Sequence, residues 1–467
     1  MGKKIIIYDF ETSGLDSWFD IPLDGAFVLT DENLKKLDEF SFKIKLPLGV
    51  VPSPVALITH KAEIDKMHEG DSYYTAMSNL YNKAKEWGPA CWLGYNSIKF
   101  DEKFLRMGLY KSIYNQYITN TNGSTRADLL PLMHCVKMFS PNSLSFPLTD
   151  EGKPIFKLDQ LAPINNIPHE AHRSMGDVVA TLELSKLVQE RCSDLWSIAM
   201  QTTKKLDILQ RADELVVFCH GGFNMQRDPD FGVYATIGAN VNMNNELIVF
   251  NLSYDLEKYL NVSIEEMKKL VRSSDGPFKI IKANESPILL PVDYAAMIDV
   301  KFDKVKLLNT GYQIKDNFNF RAGVLYALES SVRTYKKSQI VEKQIYDGFY
   351  GEDDKNLMEL FHEGLWDDQA SISKKFKDSR LEELSKRILF HEKPELLDQK
   401  EKEKIAYNLA ARVTSSSKQP WRTIDDAIRE LASGKVTGKL SHKEMDQYED
   451  FYQKISSDCT KILEQNT

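Results

Sequence analysis

An isoleucine run, Ile5-Ile6-Ile7, leads through Tyr8 into Asp9-Phe10-Glu11-Thr12 and then a turn at Ser13-Gly14. Few architectures accept such a segment. Side chains alternate along an extended chain, so Asp9 and Glu11 share a face with Ile5 and Ile7 upstream. Two carboxylates side by side at the end of an apolar strand repel each other and lose solvation, and a divalent metal is the usual compensation. A polar strand end entering a turn reads the same way, so Asp-x-Glu alone does not choose between the two.

The chain around this strand changes texture twice. Up to residue 193, strand-like runs (KIIIYDF, GAFVLTD, CWLGYN) alternate with helix-like ones (DEKFLRMGLYKSIY, GDVVATLELSKLVQERC), the signature of an α/β layered domain. Residues 200–338 are richer in β-like runs (ELVVFCH, GVYATIGANVN, NELIVFNL, FKIIKA, SPILLPV) and predict an α+β module with a small sheet or barrel. From 345 to 467 the sequence is charge-dense with helical period, and we expect a helical domain whose alternating acids and bases form solvated faces.

Composition limits the function classes. With 467 residues, 42% hydrophobic and 27% charged, the chain is long enough for several domains of ~150 residues and is not disordered. Lys+Arg 60 against Asp+Glu 68 gives a net charge of −8, which excludes a histone-like polycation; any nucleic-acid path must be a local basic groove. No apolar run approaches the ~20 residues of a membrane span. The basic start meets Asp9 and Glu11 after three isoleucines, unlike a secretory signal. Five scattered cysteines with no C-x-x-C pair predict reduced thiols in a cytoplasm and no thiolate zinc site.

Two further acids sit at helix starts. Asp101 follows Gly94-Tyr95-Asn96-Ser97-Ile98-Lys99-Phe100 where a strand gives way to a helix, a place where it either caps the helix or faces a cleft. Asp177 opens a helix in which it lies in line with Ala180, Thr181, Leu184, Leu187 and Val188, an apolar stripe that should face the sheet and turn Asp177 inward. His172 stands five residues earlier, just outside that helix. Taken together, Asp9, Glu11, Asp101 and Asp177 suit a phosphodiesterase whose two Mg²⁺ ions lie ~3.5–4 Å apart, with His172 as general base for the attacking water. Mg²⁺ prefers such oxygen ligands, and Mn²⁺ accepts them too.

This ordered set resembles the DEDDh 3′–5′ exonuclease superfamily: Asp9-x-Glu11, Asn96-x3-Phe100-Asp101 and His172-x4-Asp177. DFETSGLD, PSPVALITH (52–60), LGYNSIKFDEKFLR, TRADLLPLM, FKLDQLA, AHRSMGDVVATLELSKL and Tyr346-Asp347-Gly348-Phe349 are further similar to the bacterial exodeoxyribonuclease I family, over essentially the full length. The resemblance implies a ribonuclease-H-like exonuclease domain (1–193), an SH3-like α+β domain (200–338) and a C-terminal helical domain (345–467). It implies a cytoplasmic monomer that degrades single-stranded DNA from the 3′ end to nucleoside 5′-monophosphates. It also implies metal ligation by Asp9, Glu11, Asp101 and Asp177, with Glu11 also touching substrate, and a base at His172. Lys157 stands where the family has an arginine on the terminal nucleotide, which keeps the charge but gives up bidentate phosphate geometry. Arg106, Tyr117 and Phe156 match strand-contact positions, with a helix-face charge, a surface aromatic and a core residue as their respective ordinary alternatives; Lys99 and Arg126 are further candidates. The family's partner, the acidic tail of single-strand DNA-binding protein, would need a basic pocket, for which Arg321 and Arg333 are candidates. Two alternatives stay open: another DEDDh enzyme (an RNA exonuclease or a polymerase proofreading subunit), and a strand-binding scaffold without chemistry.

Overall fold

The computed structural model of the chain describes residues 3–169, 173–240, 243, 245–297, 302–330, 337–434, 436 and 438–465. Its first sheet is mixed. The central strand β1 (Ile5–Thr12) pairs antiparallel with β2 (Pro22–Thr30), which pairs antiparallel with β3 (Lys36–Lys43). On its other side β1 runs parallel to β4 (Cys91–Gly94), and β4 parallel to β5 (Thr125–Asp128), giving the ribonuclease-H-like order β3-β2-β1-β4-β5. Six helices accompany this sheet: α1 (Pro54–Thr59), α2 (Tyr73–Trp87), α3 (Asp101–Lys111), α4 (Leu129–Phe139), α5 (Leu158–Ile164) and α6 (Ser174–Arg191).

The period-two pattern of β1 decides what lies on each face. Ile5 and Ile7 enter one core with Val178, Ala180 and Leu184 of α6; Ile6, Tyr8 and Phe10 enter the opposite core with Leu80 of α2 and Phe104 of α3. Both faces of the strand are therefore covered, and each isoleucine so buried contributes about 1.5–3 kcal/mol over an exposed one. The stripe on α6 behaves as its spacing requires: Ala180, Thr181, Leu184 and Val188 are buried, and the helix packs on β1 and β2. That docking carries the head of α6 to the end of β1 where the acids lie.

A second sheet, all antiparallel in the order β10-β6-β7-β8-β9, follows: β6 (Val217–Phe223), β7 (Pro229–Ala239), β8 (Glu246–Asn251), β9 (Phe278–Lys282) and β10 (Leu290–Pro291). Helices Lys304–Asp316 and Phe318–Glu329 pack on β7. The remaining chain is helical, from Glu352–Glu363 to the long His442–Gln465. These helices build one cluster largely among themselves and share another with the first sheet. Phe361, Leu384 and Ile388 join the β1 face that holds Tyr8 and Phe104, while Tyr452 and Val413 close over Val51 and Leu57. The five cysteines are free and buried, and among the described residues no helix is long and apolar enough to cross a membrane.

His362 is one of the ties between these layers. Its ring stacks on Tyr114 at 3.6 Å; Nε2 lies 3.2 Å from the Ile113 carbonyl and Nδ1 3.0 Å from the Tyr74 hydroxyl. A carbonyl only accepts, so Nε2 carries the proton and Nδ1 accepts from tyrosine. Burial holds the imidazole down to about 4, against the small upward pull of the Ile113 carbonyl. A depressed histidine contributes stability that is complete above the unfolded value near 6.5 and is lost as pH falls toward the folded one. Between about pH 7.5 and pH 5, wild type should therefore lose about 2 kcal/mol more than His362→Phe in urea titrations.

Candidate active site

Asp9, Glu11 and Asp177 each offer a carboxylate oxygen, and these lie within 4.8 Å of one another. β1 supplies the first two from one face, and the first turn of α6 supplies the third. Burial, then the charges of Asp101, Asp177 and Glu11, hold the Asp9 carboxyl well above the usual carboxylate range. This is the electrostatic signature of anions packed together without a counter-charge. Asp101 sits beside the trio, 3% exposed at the first residue of α3, where its Oδ1 accepts the Phe10 backbone N–H at 3.1 Å between the two acids of β1. Burial pushes its carboxyl well up, and the Phe10 amide pulls against that.

The turn that presents Asp101 is locked from β5. Asp128 accepts from the backbone N–H groups of Asn96 (2.8 Å), Ile98 (3.1 Å) and Leu130 (3.0 Å), so one carboxylate fixes the turn and caps α4. Asn96 takes a left-handed conformation (φ 62°), which asparagine tolerates better than most residues. Just before it, a Cβ on Gly94 would stand 2.5 Å from that of Ser97 and 2.9 Å from the Tyr8 carbonyl, so no larger residue fits between β1 and the turn.

From Asp177 a cleft of about 640 Å³ runs between the first sheet and the second, lined by Asn96, His134, Phe156, Lys157, Phe223 and Met225 among others. Phe156 belongs to an aromatic wall, its ring 4.4 Å from His134 and 4.9 Å from Phe223. Lys157 is exposed at the N-terminal end of α5, and Lys99 is exposed on the Asn96 turn. Arg106 and Tyr117 lie together, guanidinium over ring at 5.3 Å, with Arg106 Nε also donating to Glu102 at 2.8 Å. Arg126 is 7% exposed and engaged inside the fold, with Glu102 at 3.0 Å and the Asn284 carbonyl at 2.8 Å. Arg321 donates to the carbonyls of Ile237 and Lys315. His172 and Arg333 lie outside the described residues.

Three convergent acids, one strongly destabilised by its neighbours, fit hard divalent cations well: the donor set is all oxygen, and a cation would remove the repulsion that burial amplifies. Residues 339–455, a quarter of the chain, match a family model described as the exonuclease I C-terminal domain. The exodeoxyribonuclease I of Haemophilus influenzae is 27% identical over 411 residues, covering 83% of this chain and 85% of that protein. The chain belongs to the exonuclease I family. Its fold extends the likeness. The exonuclease I of Methylocaldum szegediense superimposes with a TM-score of 0.84 at 20% identity, covering 97% of this chain and all of that one. The Escherichia coli exonuclease I solved with a dA16 oligonucleotide superimposes at 0.80 and 20% identity over both whole chains.

Within this exonuclease I fold the site holds three residues that motif reading passes over. Asp24 lies opposite Glu11 in the β1–β2 register, and burial raises its carboxyl while Ser174 bonds to it. His60, at the C-cap of α1, sets its Nδ1 against Glu11 Oε2. His169 places Nε2 2.5 Å from Asp177 Oδ1. Only strand register signals Asp24, and nothing in spacing signals His60. His169 stands three residues before His172, where a second histidine in one loop was the available clue.

Proposed function

We propose that this chain is a Mg²⁺-dependent exodeoxyribonuclease that degrades single-stranded DNA from its 3′ end and releases nucleoside 5′-monophosphates. The observation that carries the reading is the convergence of Asp9, Glu11 and Asp177 at the end of the Phe156–Lys157 cleft. Asp9, Glu11, Asp101 and Asp177 would hold two divalent ions, which when bound supply charge neutralisation at the scissile phosphate and a more acidic water. In this reading His172 takes the proton of the attacking water, Lys157 faces the terminal phosphate as a point charge, and the wall of Phe156 and His134 stacks the terminal base. Lys99, Arg106 and Tyr117 follow as contacts to the strand, while Arg126 holds the fold together. The units 1–193, 200–338 and 345–467 are part of the same reading, as is docking of an acidic tail of single-strand DNA-binding protein, which the family resemblance and a similar exonuclease I solved with SSB support. The test is digestion of 3′- and 5′-end-labelled single-stranded DNA and RNA with and without EDTA. Immediate release of label from the 3′ end of DNA, abolished by EDTA, is expected. Preference for RNA would favour another DEDDh enzyme, and tight binding without cleavage would favour a scaffold.

The two histidines of the 169–172 loop separate by role. His172→Ala should lower kcat by roughly 10²-fold with strand affinity retained, because only proton removal is lost. His169 acts through Asp177 as a positioning residue. His169→Ala should raise the Mg²⁺ concentration for half-maximal rate by roughly 10–100-fold while kcat at saturating Mg²⁺ stays near wild type. A kcat loss at saturating metal in His169→Ala, with His172→Ala active, would move the base to His169.

A further inference from the structure

Away from the cleft, a cavity of about 300 Å³ lies beneath the segment that follows β1, between the first sheet and helices Ser379–Glu392 and Gln399–Thr414. Its walls include Phe19, Ile21, Leu384 and Ile388, an apolar surface of the kind that holds small organic molecules. Its lining carries more cations than anions. Lys45, Lys111, Arg387 and Arg412 line it with Glu342 and Glu392, and Arg387 also pairs with Glu383.

Lys111, the last residue of α3, is the clearest anomaly. Its ammonium lies 5.9 Å from the centre of the Tyr73 ring and has no hydrogen bond or ion pair among the described residues. Position at a helix C-terminus accounts for a lysine there, but not for its enclosure among further cations. Burial lowers it to about 8, with Arg412 and Arg387 adding to the effect against Glu342. The Tyr73 hydroxyl and Ser112 Oγ, both at this cavity, are buried without hydrogen-bond partners among the described residues, as are Arg412 Nε and two carboxylate oxygens, Glu342 Oε2 and Glu392 Oε1; burial raises the Glu392 carboxyl. The rest of Arg412 is fixed: it bonds Glu342 at 2.6 Å and lies against the rings of Phe19 (5.1 Å) and Trp421 (4.4 Å). Four groups able to donate, against the two carboxylate oxygens, beside an apolar wall favour one kind of ligand.

We propose that this cavity binds a small organic anion, a single carboxylate or phosphate group on an apolar or aromatic body, with the acidic group paired to Lys111 and Arg412 and the body against Phe19 and Ile388. The site is separate from the acid cluster and does not depend on the activity proposed above.

Full-length protein titrated at low ionic strength with hexanoate, dAMP and inorganic phosphate tests it, followed by the methyl resonances of Ile21 and Ile388. Hexanoate or dAMP should shift both methyls saturably, and which of the two binds tighter distinguishes a carboxylate from a phosphate ligand. Inorganic phosphate, lacking a body, should bind at least about tenfold more weakly. Lys111→Met and Lys111→Gln should each weaken binding by about tenfold or more with unchanged DNA digestion. Both should fold, since each removes an unpaired enclosed charge, and an unshifted thermal midpoint or a raised one checks this. No saturable shift with any probe would overturn the site and leave it filled by water alone. Equal affinity in wild type and both variants, or equal affinity for phosphate without a body, would overturn it as well.

Discussion

Asp9→Ala is expected to abolish hydrolysis of single-stranded DNA, by roughly 10⁴-fold or more, while the protein folds and still binds the strand. At 1.36 kcal/mol per decade this is ~5.5 kcal/mol of transition-state stabilisation. Asp9 is the acid on which the charges of Asp101, Asp177 and Glu11 all converge, so its removal takes away the centre of the ligand set rather than an edge. The same crowding makes the loss of the carboxylate favourable to the fold without metal: one of several buried like charges is gone, and the thermal midpoint in EDTA should rise. Mg²⁺ should raise the midpoint of wild type, which binds it only when folded, and should raise that of Asp9→Ala much less. Groups that act as one unit do not add, so Asp9→Ala/Asp177→Ala should digest DNA no more slowly than Asp9→Ala alone. Retained Mg²⁺-dependent turnover in Asp9→Ala would remove the acid cluster from the chemistry altogether.

The parts of this molecule that local periodicity controls were legible in its sequence, and those created by pairing distant elements were not. The two faces of β1 follow from alternation, and the inward turn of Asp177 follows from the stripe on α6. The α/β texture followed by a β-rich stretch and then helices corresponds to the two sheets and the helical remainder. Asp24 reaches Glu11 only because β1 and β2 pair in one register, and His60 reaches it only because α1 ends beside that strand. No spacing rule carries either contact. The C-terminal helices read as a separate layer because their charge pattern is amphipathic, yet Phe361 and Leu384 complete a core begun by Tyr8 and Phe104. The apolar face of an amphipathic helix states that it is covered, not by what. For the same reason the arginines were the least legible residues: composition shows a positive charge, and only packing shows whether it meets solvent, a phosphate or a carboxylate.

Arg126 makes that difference measurable. Its guanidinium bonds Glu102 at 3.0 Å and the Asn284 carbonyl at 2.8 Å, and its own carbonyl accepts from the Ser286 hydroxyl at 2.7 Å. It thereby joins β5 to the 283–286 turn that follows β9. Glu102 is 2% exposed and also receives Arg106 at 2.8 Å and the Thr119 hydroxyl at 2.7 Å. Removing one partner from a buried hydrogen-bonded ion pair commonly costs 3–5 kcal/mol. Arg106 remains on Glu102, so Arg126→Ala should cost about 3 kcal/mol, read as a lower urea midpoint. Arg126→Lys should recover little of it, because an ammonium does not span Glu102 and Asn284 with a planar fork. Strand affinity measured by fluorescence anisotropy below the unfolding transition should stay at the wild-type value, with the same salt dependence. A phosphate contact would behave the opposite way: stability unchanged, affinity lowered, and the slope of log affinity on log salt reduced by about one. The two outcomes are opposite in each observable, so one pair of titrations assigns this arginine to the frame of the protein or to its substrate.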